Sequence, residues 1–551
     1  MGEVFANPLT ELAEYIDMKQ ALDKGKGPIQ ASGVTDSQKV HVMHELSSGR
    51  AWKLVITYDD TRARELYEDF TYFEKNSWLY PARDLLFYSS DIHGNLLTRE
   101  RLQVFRHLLE DEGGVVVTTV DGLMDHLLPL SMLHEACLSI EAGMPLDIEE
   151  IKIRLAAMGY ERMGQVDGMG QFSVRGGIID IFPLTEELPV RIELWGDEVD
   201  SIRSFDAESQ RSIQQMESVT IYPAAEVTLT KERLEAGISG IEADGKRQEK
   251  AFRDAGKHEE AHRIRTAVNE LCEALREGFD VQRLDGYIRY FCGETVSFLD
   301  YMKAAGSAGG LAVFLDEPQR MREKAETVEL EFRESMTQRL EKGYLLPGQA
   351  DLLFSAKQVL AALELPQTVF MTGLDQRLPG MTVKEKFSLT GKNVNSYQNG
   401  FELLIKDLKR WKKEGWRVVL LSASRTRASR LAGDLREYDL FAYCPEDPSR
   451  PVKPGEILVT YGKLHKGFEY PMIKFVVITE GDMFGTEKQK KKRKRYHYEG
   501  KKISSFSELS VGDYVVHESH GLGIYRGIEK IEQDHVIKDY IKVEYADGGN
   551  L

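Results

Sequence analysis

A chain of 551 residues, 42% of them hydrophobic, is long enough to bury several cores and predicts about three to five domains at ~100–200 residues each. Its formal net charge of −17 excludes a uniformly basic, histone-like binder of nucleic acid while leaving room for local basic patches. Four cysteines (Cys137, Cys272, Cys292, Cys444) with no C-x-x-C pair argue against a zinc site or a disulfide framework, and neither a signal-peptide layout after Met1 nor a run of ~18 apolar residues appears, so a soluble, cytoplasmic protein is expected.

Residues 6–22, with Leu9, Leu12, Ile16 and Leu22 among charged positions, predict an amphipathic helix. A Gly-rich turn from Gly25 to Pro28 leads into Gly33-Val34-Thr35-Asp36-Ser37-Gln38-Lys39-Val40, and His41 to Leu46 continues as helix. Trp52–Thr57 reads as a buried strand, Thr61–Phe70 as a charged helix, and Gly114–Thr119 as a second β-branched strand closing on a helix at about Asp121–Leu127. Strands alternating with helices imply a parallel α/β sheet, assigned to residues 1–140 and 280–350. Between them the texture changes. Phe172–Arg175, Ile178–Phe182, Val190–Trp195, Ile202–Phe205 and Val219–Tyr222 are short strands set off by Gly or Pro, a β-rich insertion over 141–230 with one exposed face. Residues 231–279 are heavily charged, poor in Gly and Pro, and read as long helices.

Leu311–Leu315 returns as a buried strand tipped by Asp316 and Glu317. It resembles a Walker B strand, whose acid would hold Mg²⁺; a strand end followed by a turn is the plainer reading. A second, smaller α/β domain is expected over 386–484, with strands at Trp416–Leu421, Glu456–Thr460 and Phe475–Thr479. Lys488–Arg495 is basic at seven of eight positions; such charge density repels itself and predicts a linker over 485–503, able to touch phosphates. In 504–551, Asp513–His517, Gly523–Ile528 and Tyr540–Tyr545 alternate in the manner of a small SH3/Tudor-like barrel. Three strands do not close one, so the chain is expected to end inside this domain.

The stretch Gly33–Val40 sits where a phosphate-binding loop would. A working one reads G-x-x-x-x-G-K-[ST], and here Gly33 and Lys39 are in register while Gln38 replaces the second glycine and Val40 the Ser/Thr. Gln38 places a side chain where backbone N–H groups would approach phosphate, and Val40 has no hydroxyl for Mg²⁺. Asp36 adds an anion: at an effective dielectric near 20, like charges at about 4 Å cost roughly 4 kcal/mol. The expectation is a P-loop NTPase-like (RecA-like) domain that no longer takes nucleotide, so that function lies in what the domain and its attachments bind.

These motifs together resemble the N-terminal half of the bacterial transcription-repair coupling factors. The matching residues are Asn7-Pro8-Leu9, Gly25–Gln30, Asp36–Lys39, Phe314–Arg320 and Val511–His517, with His520-Gly521-Leu522-Gly523-Ile524-Tyr525 the most specific. The resemblance implies a first part like UvrB, the damage-verifying component of the excision nuclease. It also implies a role in finding RNA polymerase stalled at DNA damage, displacing it and recruiting the excision-repair protein UvrA. In that family an ATP- and Mg²⁺-dependent double-stranded DNA translocase supplies the push. No second P-loop and no Q-x-x-G-R-x-G-R motif occurs in these residues, so no catalytic residue is expected here.

By the same resemblance, Arg175, Arg191 and Trp195 are implied to contact UvrA; Arg191 and Trp195, an even number apart on one strand, share a face. Tyr525, Ile528 and Ile531 are implied to contact the polymerase β subunit, for which strand addition at an open sheet edge is a physical mode. Competing roles are core packing for Trp195 and Ile531 and surface salt bridges for the arginines. His517 and His520, with no third ligand nearby, suit structural roles, as does His93, and no metal site is expected. Two other functions compete with the scaffold: an active helicase of the UvrB type, which would need an intact P-loop, and a transcription regulator acting through the barrel alone.

Overall fold

The computed structural model describes residues 8–83, 95–228, 230–276, 281–397, 400–445, 451–485 and the strand residues 514–517, 521–533 and 536–544. The chain forms two compact units, Met1–Thr486 and Glu487–Leu551.

The first unit is organised by a seven-stranded sheet. In spatial order its strands are Glu385–Ser388, Ile29–Ser32, Thr368–Thr372, Leu311–Asp316, Trp52–Thr57, Gly114–Thr119 and Ser77–Tyr80, and every neighbouring pair runs parallel. The continuous apolar runs have a physical reason: alternate residues enter different cores. Leu54, Ile56, Val116, Val313 and Leu315 pack on one face, and Val55, Val115, Val117, Ala312 and Phe314 on the other. Leu311–Asp316 and Thr368–Thr372, which come late in the chain, fill the gap between the two earliest strands. Asp316 is thereby delivered to the carboxyl end of the sheet beside the Gly33 loop, at a change of strand order where open α/β sheets place their sites. The strands at 368–372 and 385–388 extend this sheet past residue 350, the limit drawn from sequence.

Leu138–Glu141 and Ser218–Ile221 pair antiparallel at the root of the insertion. Its six-stranded sheet runs Ser212–Met216, Glu198–Phe205, Val190–Trp195, Ile178–Ile181, Gln171–Arg175, Glu161–Arg162, antiparallel except for the last pair. Phe172, Ile179, Ile181, Val190, Ile192 and Ile202 form its buried side, continuous with one core of the first sheet. Helices Lys231–Asp254 and His258–Arg276 pack through Ile238, Ile241, Phe252, Ile264 and Val268 in a separate core.

A six-stranded sheet forms the second α/β part, ordered Lys392–Asn393, Phe468–Tyr470, Phe475–Ile478, Arg417–Ser422, Ile457–Tyr461, Ala442–Tyr443. Helix Phe401–Glu414 buries Leu404, Ile405, Leu408 and Trp411, one stripe at helical spacing, and stops at Gly415, whose φ of +78° suits a left-handed cap. The other side of this sheet contributes Val419, Leu421, Leu458, Phe468 and Tyr470 to the core that holds Val40, Met43 and Phe70. The two α/β parts therefore share apolar interior. In the second unit, Tyr514–His517, Gly521–Gln533 and Val536–Glu544 form an antiparallel sheet in that order.

Two helix expectations differ from the structure. Residues 6–22 divide into a 3-10 turn, Pro8–Glu11, and a helix, Ala13–Asp23. Asp121–Leu127 is helical only over Asp121–Leu123, because Asp125 and Leu127 are drawn into extended bridges with Leu353 and Val296. The basic linker lies outside the described residues, as do His93 and His520.

Candidate functional site

Strand Ile29–Ser32 ends in Gly33, whose φ is +79° and where an added Cβ would lie 2.0 Å from the Leu389 carbonyl oxygen. Only glycine fits there. Thr35 then caps helix Asp36–Leu46, and Gln38 serves that cap: its Oε1 accepts the Thr35 backbone N–H at 3.3 Å. The Gln38 Nε2 donates to the Glu469 carbonyl at 3.3 Å. Asn393 Nδ2 donates to Asp36 at 3.1 Å, Asn393 Oδ1 accepts from the Thr35 hydroxyl, and the Lys466 N–H donates to Ser37 Oγ at 3.0 Å. Val40 is fully buried. The start of this helix is thus covered by the second α/β part, and Gln38 gains a role there beyond the loss of a glycine.

Lys39 and the two acids at the tip of Leu311–Asp316 come together. Lys39 Nζ donates to Asp316 Oδ1 at 2.5 Å and to Glu317 Oε1 at 2.7 Å. The second Asp316 oxygen accepts from Thr57 Oγ1 and Arg62 Nε, both at 3.0 Å. Burial alone would push the Asp316 carboxyl up; the Lys39 and Arg62 charges and their hydrogen bonds outweigh it and hold the group below the usual carboxylate range. ATP with Mg²⁺ does not fit these residues. The Thr35 N–H already has an acceptor, Val40 offers no hydroxyl, and Lys39 is engaged by carboxylates.

On the outward face of the insertion, cross-strand register aligns Arg175 with Ile178, Asp180 with Arg191, and Arg191 with Arg203. Asp180 is fully buried. It accepts from Arg191 Nε at 2.6 Å, Arg191 Nη2 at 2.9 Å and Arg175 Nη2 at 2.7 Å. Arg191 Nη2 also donates to Gln210 Oε1 at 3.0 Å, and its guanidinium lies 4.4 Å from the Phe205 ring centre. Arg203 pairs with Glu193. Trp195 ends the strand 84% exposed, so it is not core. Of the two arginines, Arg175 is half-exposed while Arg191 is mostly covered by its partners. The sequence reading missed Asp180, Glu193, Arg203 and Gln210. The one visible signal was a carboxylate inside the apolar run Ile178-Ile179-Asp180-Ile181.

In the C-terminal sheet, Tyr525, Ile528 and Ile531 all lie on strand Gly521–Gln533, opposite Val543, Ile541 and Lys538, with a register shift between Tyr525 and Gly527. Tyr525 is buried. Among the described residues, one cluster has ligand spacing for a metal: His107, Glu110 and Glu112. Its groups are engaged already, His107 with Glu112, and Glu110 with Arg106 and Tyr222.

Residues 138–226 match the family model described as UvrB interaction domain, and residues 509–551 the model described as CarD-like/TRCF RID domain. Over 502 residues the chain is 33% identical to the transcription-repair-coupling factor of Bacillus subtilis (strain 168), covering 90% of this chain and 42% of that protein. It is 29% identical over 530 residues to the transcription-repair-coupling factor of Staphylococcus haemolyticus, covering 95% of this chain and 44% of the relative. That of Staphylococcus epidermidis is 28% identical over 556 residues, 99% of this chain and 46% of the relative. The chain thus spans less than half the length of the curated relatives it matches, and the likeness read from its motifs runs along nearly all of it.

Proposed function

We propose that this chain, similar along its length to transcription-repair coupling factors, acts as a binding scaffold that couples transcription to nucleotide-excision repair. Its β-rich insertion docks the excision-repair protein UvrA through Arg175, Arg191 and Trp195. Its C-terminal strands, read as part of an SH3/Tudor-like barrel, dock the RNA polymerase β subunit along the strand that carries Tyr525, Ile528 and Ile531, with Tyr525, whose side chain is buried, contributing its backbone. Past Ile524 that strand is paired on one side only among the described residues, with Val536–Glu544, and its other edge would accept a partner strand by edge addition. The first domain descends from a RecA-like nucleotide-binding fold and serves as the frame for the insertion. ATP, Mg²⁺ and the main grip on double-stranded DNA are assigned to the motor that the family carries, and the cytoplasm is the place of work. No turnover is assigned to the residues described here.

One observation carries the reading: inside the span that matches the UvrB interaction domain, Trp195 stands 84% exposed at the end of the strand that also carries Arg191. An exposed aromatic ring on a face that also carries arginines is the composition of an interface anchor, and truncating such an anchor typically costs about 2 kcal/mol or more. Trp195→Ala is therefore expected to weaken UvrA binding by roughly 30-fold, measured by calorimetric titration, with the thermal unfolding of the chain unchanged. Binding equal to that of the parent chain refutes the assignment.

A further inference from the structure

The outward face of the insertion presents an ordered charge array. Arg191 and Arg203 sit directly opposite each other on neighbouring strands, an arrangement that like charges disfavour. Each is held by an acid on an adjacent strand, Arg191 by Asp180 and Arg203 by Glu193. Asp180 also takes Arg175. Asp180 and Glu193 thus hold three guanidiniums between them, and Glu198 stands opposite Trp195 where the face ends. Asp180 itself is out of reach of any partner, since it is fully buried beneath the groups it binds.

A buried carboxylate is expensive unless paired, and this one is paired with two side chains that would otherwise be mobile. It grips Arg191 side-on through Nε and Nη2, which fixes the guanidinium plane, and holds Arg175 by a single Nη2. Gln210 and the Phe205 ring bracket Arg191 from the other side. Long side chains lose rotamer freedom when an interface immobilises them; side chains fixed beforehand by folding do not lose it again on binding.

We propose that Asp180 is a positioning residue for UvrA docking: it pre-sets Arg175 and Arg191 so that their free edges meet a carboxylate on the partner, next to an apolar slot that takes Trp195. The proposal rests on the docking reading above and adds the partner's chemistry, an acidic group beside an apolar pocket. Asp180 acts through the arginines and touches nothing on the partner itself.

The test is a double-mutant cycle on the full chain, with UvrA affinity measured by calorimetric titration at low and high salt. Asp180→Asn keeps the shape and removes the charge that orders the guanidiniums; it is expected to weaken binding on the order of tenfold, about 1.4 kcal/mol. In an Arg175→Gln/Arg191→Gln background, where glutamine still donates to the buried carboxylate, the same change is expected to alter affinity less than about twofold. A structural defect would carry through both backgrounds, so an equal loss in both overturns the proposal, as does an Asp180→Asn chain that binds like the parent. If Arg175→Gln/Arg191→Gln itself binds like the parent, the docking reading falls and this proposal with it. Should Asp180→Asn fail to fold, Gln210→Ala removes the second acceptor of Arg191; a two- to threefold loss that vanishes beside Arg191→Gln supports the proposal, and an unchanged affinity overturns it.

Discussion

Replacing Lys39 by alanine separates a structural ion pair from an active site. In a working nucleotide loop that lysine faces phosphate, and its loss silences turnover while the fold stands. Here Lys39 is 3% exposed and its Nζ lies 2.5 Å from Asp316, a fully buried carboxylate. Breaking a buried ion pair by removing one partner costs about 3–5 kcal/mol. Asp316 keeps Arg62 and Thr57, and Glu317 keeps the Gly373 N–H, so the expected loss is near the lower end, about 3 kcal/mol. Lys39→Ala should therefore lower the denaturant midpoint of the first unit, followed by tryptophan fluorescence, without changing any background ATP hydrolysis. The pH dependence has a definite sign. The native Asp316 carboxyl is held below its usual range, so its pairing stabilises fully above the unfolded value, near pH 4, and that contribution is lost as pH falls through the native value. The gap between parent and variant should narrow in acid. DNA-stimulated ATP turnover that Lys39→Ala abolishes, or a variant as stable as the parent, would refute this reasoning.

Restoring the consensus with Gln38→Gly and Val40→Ser is expected not to restore nucleotide binding, because Asp36, Asn393 and the engaged Lys39 remain; micromolar binding of a fluorescent ATP analogue would contradict this. The same pair should destabilise by about 2 kcal/mol or more, since it orphans the Thr35 N–H and places a hydroxyl in a dry core. His465 bridges the two α/β parts: its Nδ1 lies 2.9 Å from Asp69, a contact that raises the imidazole above its usual range. The stability it adds is full below the unfolded value, near pH 6.5, and is lost as pH rises through the higher native value. The difference between parent and His465→Ala, read as denaturant midpoints, should shrink in that direction; a difference that grows with pH would be incompatible with the pairing.

Much of this architecture is readable from local pattern. Trp52–Thr57, Gly114–Thr119 and Leu311–Asp316 announce a doubly covered parallel sheet through unbroken apolar runs, and the insertion announces itself through short alternating strands. Less accessible were features set by long-range partners. Thr368–Thr372 enters the sheet between Ile29–Ser32 and Leu311–Asp316, and Glu385–Ser388 beside Ile29–Ser32, placements that their own residues do not specify. The strand over Gly521–Gln533 runs past Ile528 through charged residues that obscure its alternation. Gln38 and Val40 were legible as departures from a consensus. The distant partner of Gln38, Glu469, and that of Thr35 and Asp36, Asn393, lie hundreds of residues away and could be found only in three dimensions. Asp180 was visible as an odd residue in an apolar strand, yet its burial depends on two arginines from neighbouring strands.

The covered start of helix Asp36–Leu46 has a mechanical consequence. A nucleotide cleft works by opening and shutting, which requires two bodies with a gap between them. Here Val40, Met43, Phe468 and Tyr470 share one dry interior, and Gln38, Ser37 and Asn393 tie its rim. The two α/β parts are welded here. A welded frame yields little when pulled, so a load applied at Trp195 is passed on through the sheet instead of being absorbed in a closing cleft.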